Sequence, residues 1–479
     1  MTQWPYVRDC TFGMSALLDT AAALPVGAAP SPAGPATQAD LDRPGPPEIP
    51  LPKHLQVLRF NIRQTEFVFK WRRELGDTFR FNGMVAGRPV ITCHPDHVRS
   101  LFTAKPELVP TLVSESPLRP IVGPASVLTA NGPRHLRQRR LLLPPFHGEA
   151  IERYTQMIAD VCDREIAQWP IGEPFAVAPR MQSVTLDVIM AGIFGIEGDV
   201  PAGTPEHRFR RAIEHLTTMS TTPVAQLGEL LNVGKAEPVG FLKQGVRLLD
   251  AVTYPIIKAR RKLDDLETRT DILSMIMCAR TEDGDLLSDE ELRDELLTLV
   301  LAGFETTANS LSWTLERLVR TPDAYEQLRA AVREGDDAAG HIERALQEGM
   351  RARPVIPMIG RRPNVAWRLG DFAVPAGTPI TMSILLLHHR EDLYPDPFAF
   401  RPDRWVGRKP GTYEWIPFGG GTRRCLGAAL AMAEQRAVLD AVMRRLDLAA
   451  DRPEAEHAQH RNVTMIPARG ARMIVRSRS

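Results

Sequence analysis

Cys425 stands in the run FGGGTRRCLG (418–427), directly ahead of the alanine-rich stretch AALAMAEQRAVLDAVMRRL. The order predicts a strand end, a tight glycine turn, and the cysteine just before a helix start. Unsatisfied N–H groups and the positive end of a helix favour a thiolate there, and Arg423 and Arg424 add positive charge beside it. Three successive glycines let a backbone turn sharply and approach a flat ligand without side chains in the way. On residue types alone, such a cysteine is either a nucleophile or a metal ligand. Further upstream, LAGFETTANS (301–310) sets Gly303, Glu305, Thr306 and Thr307 inside a helical pattern. These are poor choices for a buried helix, and a plain core helix has no reason to hold them. Glu348 and Arg351, three apart, can pair on one helix face, as can His135 and Arg139, four apart. Both spacings are also common on solvated helices.

The elements that must position these residues follow from punctuation and periodicity. Ser288 and Glu291 form a capping box, after which no proline or turn residue intervenes until about Arg320. A helix of that length spans roughly 48 Å and crosses the whole molecule. Residues 1–42 are rich in Ala, Pro and Gly and read as a poorly ordered extension. The proline-rich entry RPGPPEIPLP then opens a domain over 43–479. His54–Leu75 reads as one helix, and 78–82 with 89–93 as a hairpin. Mostly helical chain follows, with a long Pro/Gly-interrupted connection between helical segments in 200–265. His388 and His389 are expected to cap or pair at a helix start.

Composition excludes several classes. A net charge of +1 argues against a general nucleic-acid binder. Five scattered cysteines (10, 93, 162, 278, 425) fit a reducing compartment, with neither a disulfide framework nor zinc spacing. The nearest approach to a metal cluster is Cys93, His94 and His97, but Pro95 lies inside it and the three read as plain surface residues. No stretch reaches the ~18 apolar residues of a membrane span. The apolar run 14–29 contains Asp19 and only Arg8 precedes it, so the cytoplasm is the expected location.

Phe418, Gly421, Arg423, Cys425 and Gly427 resemble, in register, the cysteine-ligand loop of the cytochrome P450 family. Four further motifs fall in the order that family would show: the arginine-rich 131–146 segment, the 301–310 segment, Glu348–Arg351, and DPFAFRPDRW. The resemblance covers about 43–479. It implies a mainly α fold with small β-sheets (α+β), shaped as a triangular prism, with a long central helix over haem b. It implies Cys425 as the iron ligand, with Phe418, Gly419, Arg423 and Gly427 forming its loop. Arg139, Arg361 and, with His where many relatives carry Trp, His135 would bind the haem propionates. Ala302 and Gly303 would leave room over the iron, and Thr306 would bond back to the Ala302 carbonyl and bend the helix open. Glu348, Arg351 and Arg404 would form one buried charged network.

The same resemblance makes the segments in 200–265 two helices with a lid between them. It makes Val355, Ile356, Ile359 and Met465, the last on the RNVTMIP tip, a lining for the substrate. The implied reaction uses O2 to hydroxylate a lipophilic small molecule, with Glu305 and Thr306 managing protons. Electrons from NAD(P)H would arrive through a ferredoxin or flavodoxin and its reductase, because about fifty residues after Cys425 leave no room for a flavin or iron–sulfur domain. Arg137, Arg140, Arg423 and Arg424 would offer that partner a basic face. A peroxygenase, isomerase or dehydratase without a redox partner is a second reading, and a non-catalytic haem sensor a third.

Overall fold

A computed structural model describes residues 30–479 apart from 84–87, 147–148, 197–199, 221–231, 233–234, 236, 282–283, 336 and 462. Among these residues the helices are α1 Lys53–Ile62, α2 Gln64–Leu75, α3 Pro95–Thr103, α4 Gly132–Leu142, α5 Glu149–Ile166, α6 Val177–Phe194 and α7 Pro205–Ser220. They continue as α8 Phe241–Arg260, α9 Ile272–Cys278, α10 Asp289–Val319, α11 Pro322–Glu334, α12 Ala338–Ala352 and α13 Ala428–Arg445. The strands are β1 Ala33–Pro35, β2 Thr78–Arg80, β3 Val90–Thr92, β4 Phe175–Ala176, β5 Met358–Arg361 and β6 Trp367–Leu369. Then come β7 Phe372–Val374, β8 Ile380–Ser383, β9 Leu446–Ala450, β10 Ala458–Arg461, β11 Thr464–Pro467 and β12 Arg472–Arg478. The expected architecture, mainly α with small sheets, is the one adopted.

Two apolar cores meet across α10. One gathers the inner faces of α5, α6, α9–α13 and the β9–β12 pair, around Leu296, Leu297, Val300, Leu311 and Leu315 of α10. The other packs α2 and α3 against the four-stranded sheet β2–β3–β8–β5, with Trp71, Phe79, Ile91, Trp367 and Met382 at its centre. Within that sheet only β3 and β8 run parallel. The hairpin expected from 78–82 and 89–93 is β2–β3.

Three local expectations change. The single helix over 54–75 is two, because Arg63 (φ −141°, ψ 60°) leaves helical geometry between α1 and α2. Part of the stretch expected to be poorly ordered is fastened to the fold. Ala33–Pro35 pairs with β6, and Ser31 is fastened to α3 through its N–H on Asp96 Oδ2 (2.9 Å) and its hydroxyl on His97 Nε2 (2.9 Å). Residues 1–29, and most of the connection expected to act as a lid, lie outside the described residues. His388 and His389 do not cap a helix start. They are buried just after the 384–387 turn, where the His388 Nε2 accepts the Ile416 N–H (2.9 Å) and the His389 Nδ1 meets the Leu385 carbonyl (2.8 Å). The surface placement expected of Cys93, His94 and His97 does not hold: all three are buried. The His97 Nδ1 meets the Thr92 hydroxyl at 2.7 Å, and its other nitrogen is taken by Ser31.

Candidate active site

Helix α10 starts where its capping box requires. The Ser288 hydroxyl accepts the Glu291 N–H (3.1 Å), while Glu291 Oε2 accepts the Ser288 N–H (3.0 Å). It is buried from Leu292 to Val300 and again from Thr307 to Glu316; between these stretches Ala302 is exposed, and Leu301, Gly303, Glu305 and Thr306 are half-buried. The break in burial spans about one and a half turns in the middle of the helix. The Thr306 hydroxyl donates to the Ala302 carbonyl at 2.7 Å, and the helix runs on unbroken through that bond. A Cβ on Gly303 would meet Ile189 Cδ1 of α6 at 2.6 Å, so its bareness also lets α6 pack close.

Cys425 lies on the loop ahead of α13. It is exposed, yet burial pushes its thiol pKa up, against the Gly427 N–H and the charges of Arg139 and Arg424. In the metal-free protein desolvation thus opposes the thiolate that the helix start and the arginines favour. The loop is shaped by its own backbone, with the Cys425 N–H donating to the Phe418 carbonyl (3.0 Å) and the Gly419 N–H to that of Ile416 (3.0 Å). Gly419 and Gly421 have φ of +67° and +65°, which glycine alone adopts freely. The close approach expected toward a flat ligand is instead toward Phe102 of α3. A Cβ on Gly420 would penetrate its ring, and one on Gly421 its carbonyl. Gly420→Ala should therefore lower stability by about 1–3 kcal/mol through overpacking, read as an earlier midpoint in denaturant.

A small cavity is lined by His135, Arg361 and Arg423 and by no acidic residue. Arg361 is 7% exposed. Its Nη1 bonds only the neighbouring Gly360 carbonyl (3.0 Å), its plane lies over the Phe102 ring, and burial pulls its pKa down to about 10. Arg423 donates to the carbonyls of Val127 (3.1 Å) and Ala130 and to Asn131 Oδ1 (2.9 Å); burial, then Arg361 and Arg139, bring its pKa to about 10. His135 is buried, and desolvation with Arg423, Arg139 and Arg361 nearby drops its pKa to about 4. Arg139 Nη1 donates to the Arg424 carbonyl at 2.7 Å. Among the described residues, no carboxylate forms an ion pair with Arg139, Arg361 or Arg423. Three guanidiniums without carboxylate partners, one of them (Arg139) beside the Cys425 thiol, suit a dianionic ligand whose metal takes sulfur.

The Glu348–Arg351–Arg404 set is one network. Glu348 Oε1 accepts from Arg351 Nη2 (2.8 Å), Arg404 Nε (3.0 Å) and the Arg401 N–H (2.9 Å). Its Oε2 accepts from Arg351 Nε (2.9 Å) and Trp405 Nε1 (3.1 Å). Both the Glu348 and Arg351 side chains are fully buried. Arg351 Nη1 also donates to the His388 carbonyl (2.9 Å), and the His388 ring takes the Ile416 N–H two residues before Phe418. The network thus reaches the cysteine loop in two steps.

Of the expected lining, Val355, Ile356 and Ile359 are half-buried near β5, and the Val355 carbonyl accepts the Met465 N–H (2.7 Å). Met465 itself is 1% exposed and packs in the sheet-side core, with its carbonyl accepting from Trp313 Nε1 (3.0 Å). Arg137 is paired with Glu291 (2.8 Å) at the start of α10, while Arg424 is exposed. Sequence reasoning missed Arg461. It sits on β10, 6% exposed, and forms an ion pair with Glu305, to which the Thr464 hydroxyl also donates (3.3 Å). Nothing in the local pattern of β10 foretold a partner 156 residues upstream.

The profile of the family described as Cytochrome P450 matches residues 44–474. Cytochrome P450 138 of Mycobacterium tuberculosis is 36% identical over 436 residues, covering 90% of this chain and 96% of that protein. Cytochrome P450 135B1 of the same organism is 35% identical, covering 88% of each. Among solved structures, the retinoic acid-bound cyanobacterial CYP120A1 aligns with a TM-score of 0.75 at 22% identity, covering 91% of this chain and all of that one. The cytochrome P450DA haem domain gives 0.74 at 23%, covering 91% and 98%.

Proposed function

The chain belongs to the cytochrome P450 family, and from that premise we propose that it is a haem-thiolate monooxygenase hydroxylating a lipophilic small molecule with electrons from a separate partner. One observation carries the reading. The exposed Cys425 lies beside the charges of Arg139 and Arg424, and among the described residues Arg139, Arg361 and Arg423 donate to carbonyl or amide oxygens rather than to carboxylates. Haem bound there supplies dioxygen activation at its iron, which thiolate ligation favours.

This chain's residues do the rest. Cys425 would hold the iron as a thiolate, steadied by the Gly427 N–H and the nearby Arg139 and Arg424 charges. Arg361, Arg423, Arg139 and His135 would take the two propionates. Thr306, whose proton is committed to the Ala302 carbonyl, keeps oxygen lone pairs that can accept from a water. Glu305 is the acid that can resupply protons. Its side chain keeps 22% exposure, and Arg461 and Thr464 fix where its carboxylate waits. Val355, Ile356 and Ile359 border the substrate. A ferredoxin or flavodoxin and its reductase, drawing on NAD(P)H, deliver electrons at the basic face around Arg424. No helix among the described residues is long and apolar enough to cross a membrane. With its described cysteines all free, the protein is assigned to the cytoplasm.

The test is substrate oxidation with NADPH and surrogate ferredoxin partners, then with peroxide alone, then with neither. Turnover in the first arm only supports the monooxygenase; turnover with peroxide alone, or none despite bound haem, sinks it. Thr306→Ala should leave reductant and O2 consumption running while product per O2 falls on the order of 10²-fold, the usual scale of a lost proton-handling group. Paired oxygen-electrode and product measurements give that ratio.

A further inference from the structure

Helix α1 buries a polar residue and exposes apolar ones. Gln56 is 0% exposed; its Nε2 donates to the carbonyls of Ile49 (3.1 Å) and Leu51 (2.7 Å), and its Oε1 accepts the Asn82 N–H (2.9 Å). Leu58 and Ile62, four apart and therefore neighbours on one face, are left 53% and 69% exposed. Ile62 is the most exposed large apolar side chain among the described residues. A single exposed apolar residue needs no explanation, but a cluster rimmed by charge marks a binding surface.

The chain leaves helical geometry at Arg63 before α2 begins, and the two helices line an open groove of about 350 Å³. Leu58 and Ile62 of α1 with Phe67 and Trp71 of α2 supply its apolar lining, and Arg59 and Arg63 lie along it. Lys70 and a single acid, Glu66, complete the lining. Lys70 is committed, its Nζ being 3.5 Å from Glu74 and over the Trp71 ring (4.9 Å). Arg59 and Arg63 form no ion pair among the described residues. Trp71 is 3% exposed, and its indole N–H has no acceptor, a rare state for a buried donor. An apolar floor, two uncommitted guanidiniums and one open N–H donor thus meet in a space of the size that small molecules occupy, roughly 300–1,000 Å³.

We propose that this groove binds a free single-chain amphipathic carboxylate, with its tail along Leu58, Ile62, Phe67 and Trp71 and its head on Arg59 and Arg63. A planar guanidinium takes both oxygens of a carboxylate, and a hydrocarbon tail removes Leu58 and Ile62 from water. Charge decides the sign of the head group: three cations stand against one acid, so a cationic amphiphile is disfavoured. The groove shares no residue with the site around Cys425, and the inference stands independently of the haem reading.

The experiment photo-crosslinks a diazirine-bearing dodecanoate, kept below micelle formation, to the purified full-length protein and maps the label by peptide mass spectrometry, beside the matching alcohol. Label from the acid should fall within residues 53–75. Ile62→Glu sets an acid at an already exposed position, where substitutions leave stability nearly unmoved. It should cut that label by about tenfold or more at an unchanged denaturant midpoint, because the new charge faces the carboxylate. Arg59→Gln combined with Arg63→Gln should weaken dodecanoate about tenfold and leave the alcohol as it was. Label confined to other parts of the chain, label that survives Ile62→Glu, or equal losses for acid and alcohol would overturn the proposal. Capture by phosphatidylglycerol vesicles with none of the monomeric probe bound would overturn it too, and would make the groove a membrane contact.

Discussion

Cys425→Ala abolishes the long-wavelength Soret band of the reduced, carbon monoxide-treated protein while leaving the fold standing. The two halves of that expectation have separate causes. Among the described cysteines only Cys425 is exposed, and imidazole or carboxylate ligands give no such band. The sulfur also packs in neither core: Cys425 is exposed, and its backbone N–H bond to Phe418 survives the change. Exposed substitutions outside caps and networks usually shift stability by no more than about 0.5 kcal/mol. The purified variant should therefore melt with the wild-type apoprotein and carry no thiolate-ligated iron. A variant that keeps the band would mean that another group holds the metal.

Glu348→Gln has the opposite profile, large in stability and indirect in chemistry. The fully buried carboxylate accepts five hydrogen bonds, from Arg351, Arg401, Arg404 and Trp405. An amide keeps the shape, offers one acceptor oxygen, and turns its NH2 toward guanidinium donors. Two arginines then lie buried without a counter-charge, at a cost of about 3–5 kcal/mol. Through the His388 carbonyl and ring, the loss is passed to Ile416 and the cysteine loop. Purified Glu348→Gln should hold well under half of the wild-type haem per protein and unfold at markedly lower denaturant. Full haem occupancy with an unmoved midpoint would show that the network is dispensable.

How much of this could be read in advance depended on where each cause lies. The ends of α10 were legible because a capping box is local, Ser288 and Glu291 being each other's partners. The break between α1 and α2 was not, since Arg63 carries no proline or glycine signal. Glu348 and Arg351 gave the right spacing but no hint of burial; only the resemblance promoted a commonplace pair to a network. The glycines at 420 and 421 were correctly seen as a close-approach site, yet the approaching group, Phe102, comes from more than 300 residues away. Burial is likewise a tertiary quantity, so the dipole argument for Cys425 omitted the term that wins in the metal-free protein. Residues 33–35 looked disordered by composition because their partner, β6, is equally remote.

The Glu305–Arg461 pair has a bearing on how turnover should respond to ionic strength. Its arginine is 6% and its glutamate 22% exposed, a setting in which added salt reaches the charges poorly, whereas contacts between exposed charges on separate molecules weaken steeply beyond a Debye length of about 8–10 Å. If rates fall as sodium chloride rises, the fall belongs to the docking of the electron donor, and the internal acid keeps its grip throughout.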